Sequence, residues 1–311
     1  MIKFSHPFPL VALVAILAPL LFSCETKPEE VTMQSLLEEM VDRDKLSRFP
    51  KNDFRLKQQS SYNRASVSPE DTVGWFTNHD LNRSDQDENF VRIEEKNGEK
   101  EWVLMEHTNP GVIVRTWMPF DRADQSSSDI QMKIYLDGSE EPVLEGNMLD
   151  LFNGDGIIPF PFAHKSLRSA VSFFPIAYAK SCKITTNARP FFFQFTYREY
   201  PEETAIKTFT LEDFQAAKNL TEEVGRELLN PTGKSPGKLI EAKETIAAKG
   251  EKTIELPEGT GAIHSVSVKL GSYDIKEVMR TTIIKISFDD KETVWSPIGD
   301  FFGSGIGLNP Y

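Results

Sequence analysis

The chain has 311 residues, a formal net charge of −12 and only two cysteines. That acidity argues against nucleic acid as a partner, because phosphate binding needs a basic patch, and the cysteine count argues against a small disulfide-stapled scaffold. About 290 residues remain after an N-terminal leader, enough for two domains with cores of their own.

Lys3 supplies a short positive region, and residues 10–22 form an apolar run interrupted only by Pro19. The run is shorter than the ~20 residues of a comfortable membrane span and has the size of a secretory signal core. It ends in Leu21-Phe22-Ser23-Cys24, the pattern at which lipoprotein signals are cut. Residues 1–23 are therefore expected to be a lipoprotein signal peptide. Cys24 is the expected lipidation site, anchoring the protein to a membrane of the cell envelope, on its periplasmic or outer surface. With Cys24 acylated, Cys182 has no disulfide partner, and its setting in an alternating run reads as a buried small hydrophobe.

Residues 24–57 read as a tether and an N-terminal helix. The helix is expected over residues 32–46, with Leu36, Leu37, Met40 and Val41 on one face and Glu38, Glu39, Asp42 and Arg43 opposite, and Pro50 ends it. Over residues 58–204 short β-branched and aromatic runs alternate with Gly, Pro, Asn and Asp: 101–105, 112–118, 130–136, 182–186 and 191–197. That texture predicts an all-β sandwich of the jelly-roll kind. The run Phe191-Phe192-Phe193-Gln194-Phe195 is apolar on both faces, so it is expected to be a central strand covered on each side. Residues 205–250 form a helix and linker. Leu211, Phe214, Ala217, Leu220, Val224 and Leu228 fall at helical spacing before the breaker Asn230-Pro231-Thr232-Gly233.

Residues 251–311 repeat earlier blocks. Pro110-Gly111-Val112-Ile113 recurs as Thr260-Gly261-Ala262-Ile263, and Lys133-Ile134-Tyr135-Leu136-Asp137 as Lys285-Ile286-Ser287-Phe288-Asp289. Asp150-Leu151-Phe152-Asn153-Gly154 recurs as Asp300-Phe301-Phe302-Gly303-Ser304. Three blocks in one order, offset by about 150 residues, predict a second copy of the jelly roll. The first copy runs on to Tyr200, whereas the second stops at Tyr311. The second jelly roll is therefore expected to be incomplete, with unpaired strands and an open core face.

Few residues carry obvious chemistry. The five histidines (His6, His79, His107, His164, His264) are not at metal-ligand spacing, and no phosphate loop or nucleophile triad is visible. Asp150 and Asp300 could pose as a glycosidic carboxylate pair, but their equivalence across the repeat favours a turn-forming role. Of Trp75, Trp102, Trp117 and Trp295, only Trp75, in the polar stretch Gly74-Trp75-Phe76-Thr77-Asn78, is expected to offer a sugar-stacking face.

Several blocks carry a family resemblance. They are Ser35 to Arg43, Gln59-Ser60-Ser61-Tyr62-Asn63-Arg64-Ala65-Ser66-Val67, the Trp75 stretch, Asn109 to Trp117, Ile134 to Gly138, Pro175 to Lys183, and Gly299-Asp300-Phe301-Phe302-Gly303. In this order they resemble glycoside hydrolase family 172. The resemblance implies tandem jelly rolls and a homo-oligomer built from trimers, with no cofactor. It also implies anomer-retaining action on furanosides of the α-D-fructofuranoside or D-arabinofuranoside type. A retaining pair would be two glutamates about 5 Å apart. In the family these lie in Gly-Glu-Gly-Asp and Thr-Glu-Asp-Tyr type motifs downstream of the second Gly-Asp-Phe-Phe-Gly block, and this sequence has no counterpart of either. No catalytic residue is therefore assigned. Tyr62, Arg64 and Trp75 are the candidates for contact with a furanose-containing oligo- or polysaccharide. Two expectations follow: the front portion of a retaining furanosidase, inactive by itself, or a non-catalytic glycan-binding or scaffolding lipoprotein of the surface.

Overall fold

The structure, a computed structural model, describes residues 29–72, 75, 87–96, 98–119, 129–166, 168–231, 237–272 and 274–304. The signal peptide and Cys24 expected from the sequence lie outside the described residues. Among the described residues, no helix is long and apolar enough to cross a membrane. The chain divides into two compact units, with the boundary between Thr232 and Gly233.

The first unit begins with α1 (Met33–Val41). Thr32 and Ser35 cap it reciprocally: Thr32 Oγ1 accepts from the Ser35 amide at 3.1 Å, and Ser35 Oγ accepts from the Thr32 amide at 2.9 Å. The α-helix is shorter than the 32–46 expected and gives way to a 3₁₀ turn over Arg43–Ser47. Past Val41 come Asp42, Arg43, Asp44 and Lys45, with no apolar side chain to hold further turns against a core.

The unit is otherwise built from antiparallel strands: β1 (Arg55–Ser60), β2 (Arg92–Lys96), β3 (Glu99–Thr108), β4 (Gly111–Pro119), β5 (Gln131–Leu136), β6 (Leu144–Asn147), β7 (Ala163–Ser166), β8 (Ser169–Ser172), β9 (Ile176–Tyr178), β10 (Ser181–Thr186) and β11 (Gln194–Glu199). One sheet has the order β1-β11-β4-β8-β7, with β9 also paired to β4, and the other has the order β2-β3-β10-β5-β6. A single core joins them: Ile113 and Met118 of β4 and Phe195 of β11 pack with Met105 of β3, Ile134 of β5 and Ile184 of β10, all buried. This is a β-sandwich, as the alternation of the sequence predicts.

A second apolar cluster covers the outer side of β4. Val31, Leu36, Tyr200 and Ile206 close over Val112 and Ala177. The strand covered on both faces is thus β4 rather than the aromatic run. Phe191 and Phe192 pack on each other 4.3 Å apart before β11 begins. Phe195 and Tyr197 of β11 are buried, while Gln194, Thr196 and Arg198 are half-buried on the other face. Pro190 cannot donate to a ladder, which delays the start of pairing.

The helical stretch after residue 210 also belongs to the first unit. It forms α2 (Leu211–Ala216) and α3 (Lys218–Leu229), broken at Ala217. Its periodic residues pack on the main core, with Phe214 stacked edge-on to Phe174 at 5.1 Å. Cys182 is buried and carries no disulfide, and burial pushes its thiol well above the usual range.

The second unit contains α4 (Ile275–Thr281), the hairpin β12 (Ile283–Phe288) and β13 (Lys291–Pro297), and α5 (Ile298–Phe301). Two of the three repeated blocks keep their local form. Like β5, β12 is followed by an aspartate with positive φ, at 54° for Asp137 and 50° for Asp289. Like the 3₁₀ turn Asp150–Phe152, α5 follows the second strand of the hairpin. The strand expected after Gly261 does not form, and residues 237–272 contain neither helix nor strand. In the first unit β4 is stabilised by pairing with β11, β8 and β9, whereas the described residues of the second unit offer this segment no ladder to join.

Candidate functional site

The candidate loop starts where β1 ends. Ser61 is pinned to the core strand side of the sandwich: its amide donates to Phe193 O at 3.2 Å, and its hydroxyl accepts from the Phe193 amide at 3.3 Å. Asn89, fully buried, donates from Nδ2 to Ser61 O at 2.6 Å, while its Oδ1 has no hydrogen-bond partner among the described residues. Below them Phe90 and Phe193 stack at 6.0 Å. Asn63 Oδ1 accepts from the Ala65 amide at 2.8 Å, a local turn that fits Asn at this position. The start of the loop is therefore held by buried groups.

On this frame Tyr62 stands 52% exposed, with the Arg64 guanidinium over its ring at 4.7 Å. Arg64 reaches only neutral acceptors among the described residues: Tyr62 O, Glu88 O, Gln59 Oε1 and Ser60 O, at 3.2–3.4 Å. Burial without a carboxylate partner lowers its pKa, although the guanidinium stays charged. The structure thus joins Tyr62 and Arg64 into one exposed aromatic–cation platform. Trp75 is 37% exposed, and its amide donates to Asp71 O at 2.8 Å. No ring contact, ion pair or hydrogen bond among the described residues ties it to that platform. The rest of its block (Gly74 and residues 76–78) lies outside the described residues.

The other tryptophans divide by packing. Trp102 and Trp117 are half-buried in the sandwich, and Trp295 of the second unit is 61% exposed, more than Trp75. Sequence reasoning did not single out Trp295, because most tryptophans of a sandwich are core. It also missed Asn89, whose Glu88-Asn89-Phe90 context resembles any turn.

Among the described residues, Asp150, Asp300, Glu94 and Glu106 are not set up as acid–base pairs. Asp150 accepts from Asn153 Nδ2 at 3.1 Å within its turn, and Asp300 pairs with Arg280, so both serve their turns. Glu94 and Glu106 converge on one guanidinium: Arg92 Nη2 donates to Glu106 Oε1 at 2.7 Å, and Nε donates to Glu94 Oε1 at 2.8 Å. The hydrogen bond from Arg92 holds Glu106 below the usual carboxylate range. Burial pushes Glu94 upward, but hydrogen bonds from Lys183 and Arg92 outweigh it and hold it low as well. A retaining pair needs one carboxyl kept protonated, and this pair keeps neither. Among the described residues, no group of three or more His, Cys, Asp or Glu side chains is placed to hold a metal ion.

Comparison with known families gives two matches. Residues 52–217 match the GH172 first beta-sandwich domain, and residues 237–311 match the GH172 domain-like model. The first match spans the sandwich and the Tyr62–Arg64 loop, and the second falls on the second unit. No curated protein matches the chain.

Proposed function

Because the chain belongs to the GH172 family of glycoside hydrolases, we propose that its first sandwich recognises furanose-containing glycans through the Tyr62–Arg64 platform. The carrying observation is the exposed tyrosine face, backed by a guanidinium and fixed by a loop whose polar anchors are buried. An aromatic face suits the C–H side of a sugar ring, and a planar cation beside it suits ring hydroxyls. Trp75 is proposed as a second, independent contact. The glycans would be of the α-D-fructofuranoside or D-arabinofuranoside type, and the parent reaction anomer-retaining.

These 311 residues are proposed to bind without cleaving, since the close carboxylates Glu94 and Glu106 are arranged to stay ionised. The test uses the purified chain with aryl α-D-fructofuranoside and aryl D-arabinofuranosides, and calorimetric titration with furanose and pyranose oligosaccharides. No turnover above a vector control is expected, with binding confined to the furanose series. Tyr62→Ala should weaken that binding by up to about tenfold. Turnover, or equal binding of pyranose chains, would overturn the reading.

The second unit favours an additional role in assembly. Trp295, Phe288 and Ile283 of its hairpin are exposed, which suits a homo-oligomer built from trimers or a scaffolding surface lipoprotein. Attachment to the cell envelope through a lipid on Cys24 completes the proposal. Mass spectrometry of the membrane fraction would reveal a diacylglyceryl-modified N-terminus, and the sedimentation mass would report the oligomer.

A further inference from the structure

A polar chain that glycan recognition does not use runs through the middle of the first sandwich. His107 of β3 is buried. Its Nε2 lies 2.8 Å from Glu199 Oε2 of β11, and its Nδ1 lies 3.0 Å from the Tyr178 hydroxyl of β9. Tyr178 is fully buried, so its O–H donates to Nδ1 while Nε2–H donates to the carboxylate. That tautomer satisfies all three groups. Glu199 in turn accepts from Lys57 Nζ of β1 at 2.8 Å. The other titratable groups around these are Tyr197 of β11, with its ring 4.7 Å from the imidazole, and Cys182 of β10, opposite His107 in the ladder. Arg55 of β1 lies opposite Glu199.

The end of this chain meets a weakly held element. Among the described residues β1 is an edge strand paired only with β11, and four of its six residues are exposed, Leu56 among them at 63%. No apolar side chain of β1 enters the core, and the strand leads directly into the Ser60–Arg64 loop. We propose that Tyr178, His107, Glu199 and Lys57 form an acid-sensitive latch: it holds β1 and the loop after it against the sandwich, and it releases them when Glu199 takes up a proton from solvent. The latch stands whether or not the loop binds a glycan.

Hydrogen bonds from Lys57 and from His107 hold Glu199 below the usual carboxylate range. A folded pKa below the unfolded one means that the contribution is complete above the unfolded value. It is lost as pH falls through the folded value.

Hydrogen exchange of the full chain tests this, comparing β1 with β10 between about pH 7 and about pH 3 after correction for intrinsic rates. β1 should lose about tenfold of its protection relative to β10 in acid, the size implied by losing a hydrogen bond to a charged group. Glu199→Gln should show fast β1 exchange already at neutral pH with little further change. If that variant does not fold, Lys57→Met gives the same reading in weaker form. Unchanged β1 protection in acid, or equal loosening of β1 and β10, would sink the proposal.

Discussion

The two units carry matching blocks in opposite circumstances. In the first, Phe152 and Ile134 are fully buried and Leu136 nearly so. At the equivalent positions of the second, Phe302 is 38% and Phe288 44% exposed, and Ile286 is half-buried. Yet the local geometry is shared: a strand, an aspartate with positive φ, a return strand and one helical turn. Hairpin and turn chemistry is thus written within a few residues, while burial and the Gly261 strand depend on partners far away in sequence. Local form is kept where these side chains are exposed, and their burial is not.

The sharpest way to break that comparison is to truncate equivalent aromatics. Phe152→Ala should destabilise the first unit by about 3–5 kcal/mol, the transfer and cavity cost of a buried ring. Phe302→Ala should change the stability of the second unit by less than about 1 kcal/mol, since much of that ring is already in water. Urea unfolding followed by tryptophan fluorescence reads both, with Trp75, Trp102 and Trp117 reporting the first unit and Trp295 the second. Equal losses would show that the second unit hides a core the comparison denies.

Glycine gives the next test. A Cβ at Gly111 would overlap the buried Tyr178 ring, whereas a Cβ at Gly261 meets nothing within 4 Å. Gly111→Ala should therefore cost about 1–3 kcal/mol through overpacking, and Gly261→Ala nothing measurable in the same unfolding experiment. The pair separates a glycine kept for close approach from one that is merely flexible.

These contrasts also explain how much was legible from the amino acids. The strands at 101–105, 112–118, 130–136 and 182–186 were readable because alternation reports a half-covered sheet directly. The aromatic run misled, because three consecutive phenylalanines mimic a doubly covered strand. Pro190 and the packing of Phe191 on Phe192 decided where pairing begins. Tyr62 and Arg64 could be named, but their stacking depends on Asn89 and Phe193, which approach from distant parts of the chain. The Tyr178–His107–Glu199–Lys57 chain left no trace in any local pattern, since its four members come from four strands.

Asp137 and Asp289, at equivalent places after their strands, share a positive φ. Asp137 accepts from the amides of Lys180 at 2.6 Å and Ser181 at 3.1 Å, and also from the Thr208 hydroxyl. Asp137→Ala should cost about 1–3 kcal/mol by leaving those donors unmet. Asp289→Gly should be neutral or slightly stabilising, because glycine suits positive φ better than any side chain. Differential scanning calorimetry on the two variants measures both signs.

The smallest effect is the most telling control, because burial is equal on the two sides. Arg92 meets Glu106 on the first sandwich with side chains 39% and 39% exposed, and Arg280 meets Asp300 in the second unit at 44% and 37%. Ion pairs this exposed contribute at most about 1 kcal/mol, whatever lies beneath them. Arg92→Met and Arg280→Met should therefore shift stability by similar small amounts, both shrinking as salt is raised. Arg92 holds Glu106 below the usual carboxylate range, so its contribution is present at neutral pH and disappears as acid protonates Glu106. A large loss from Arg280→Met alone, seen in thermal melts at low salt, would mean that the second unit relies on its surface pair for want of a core.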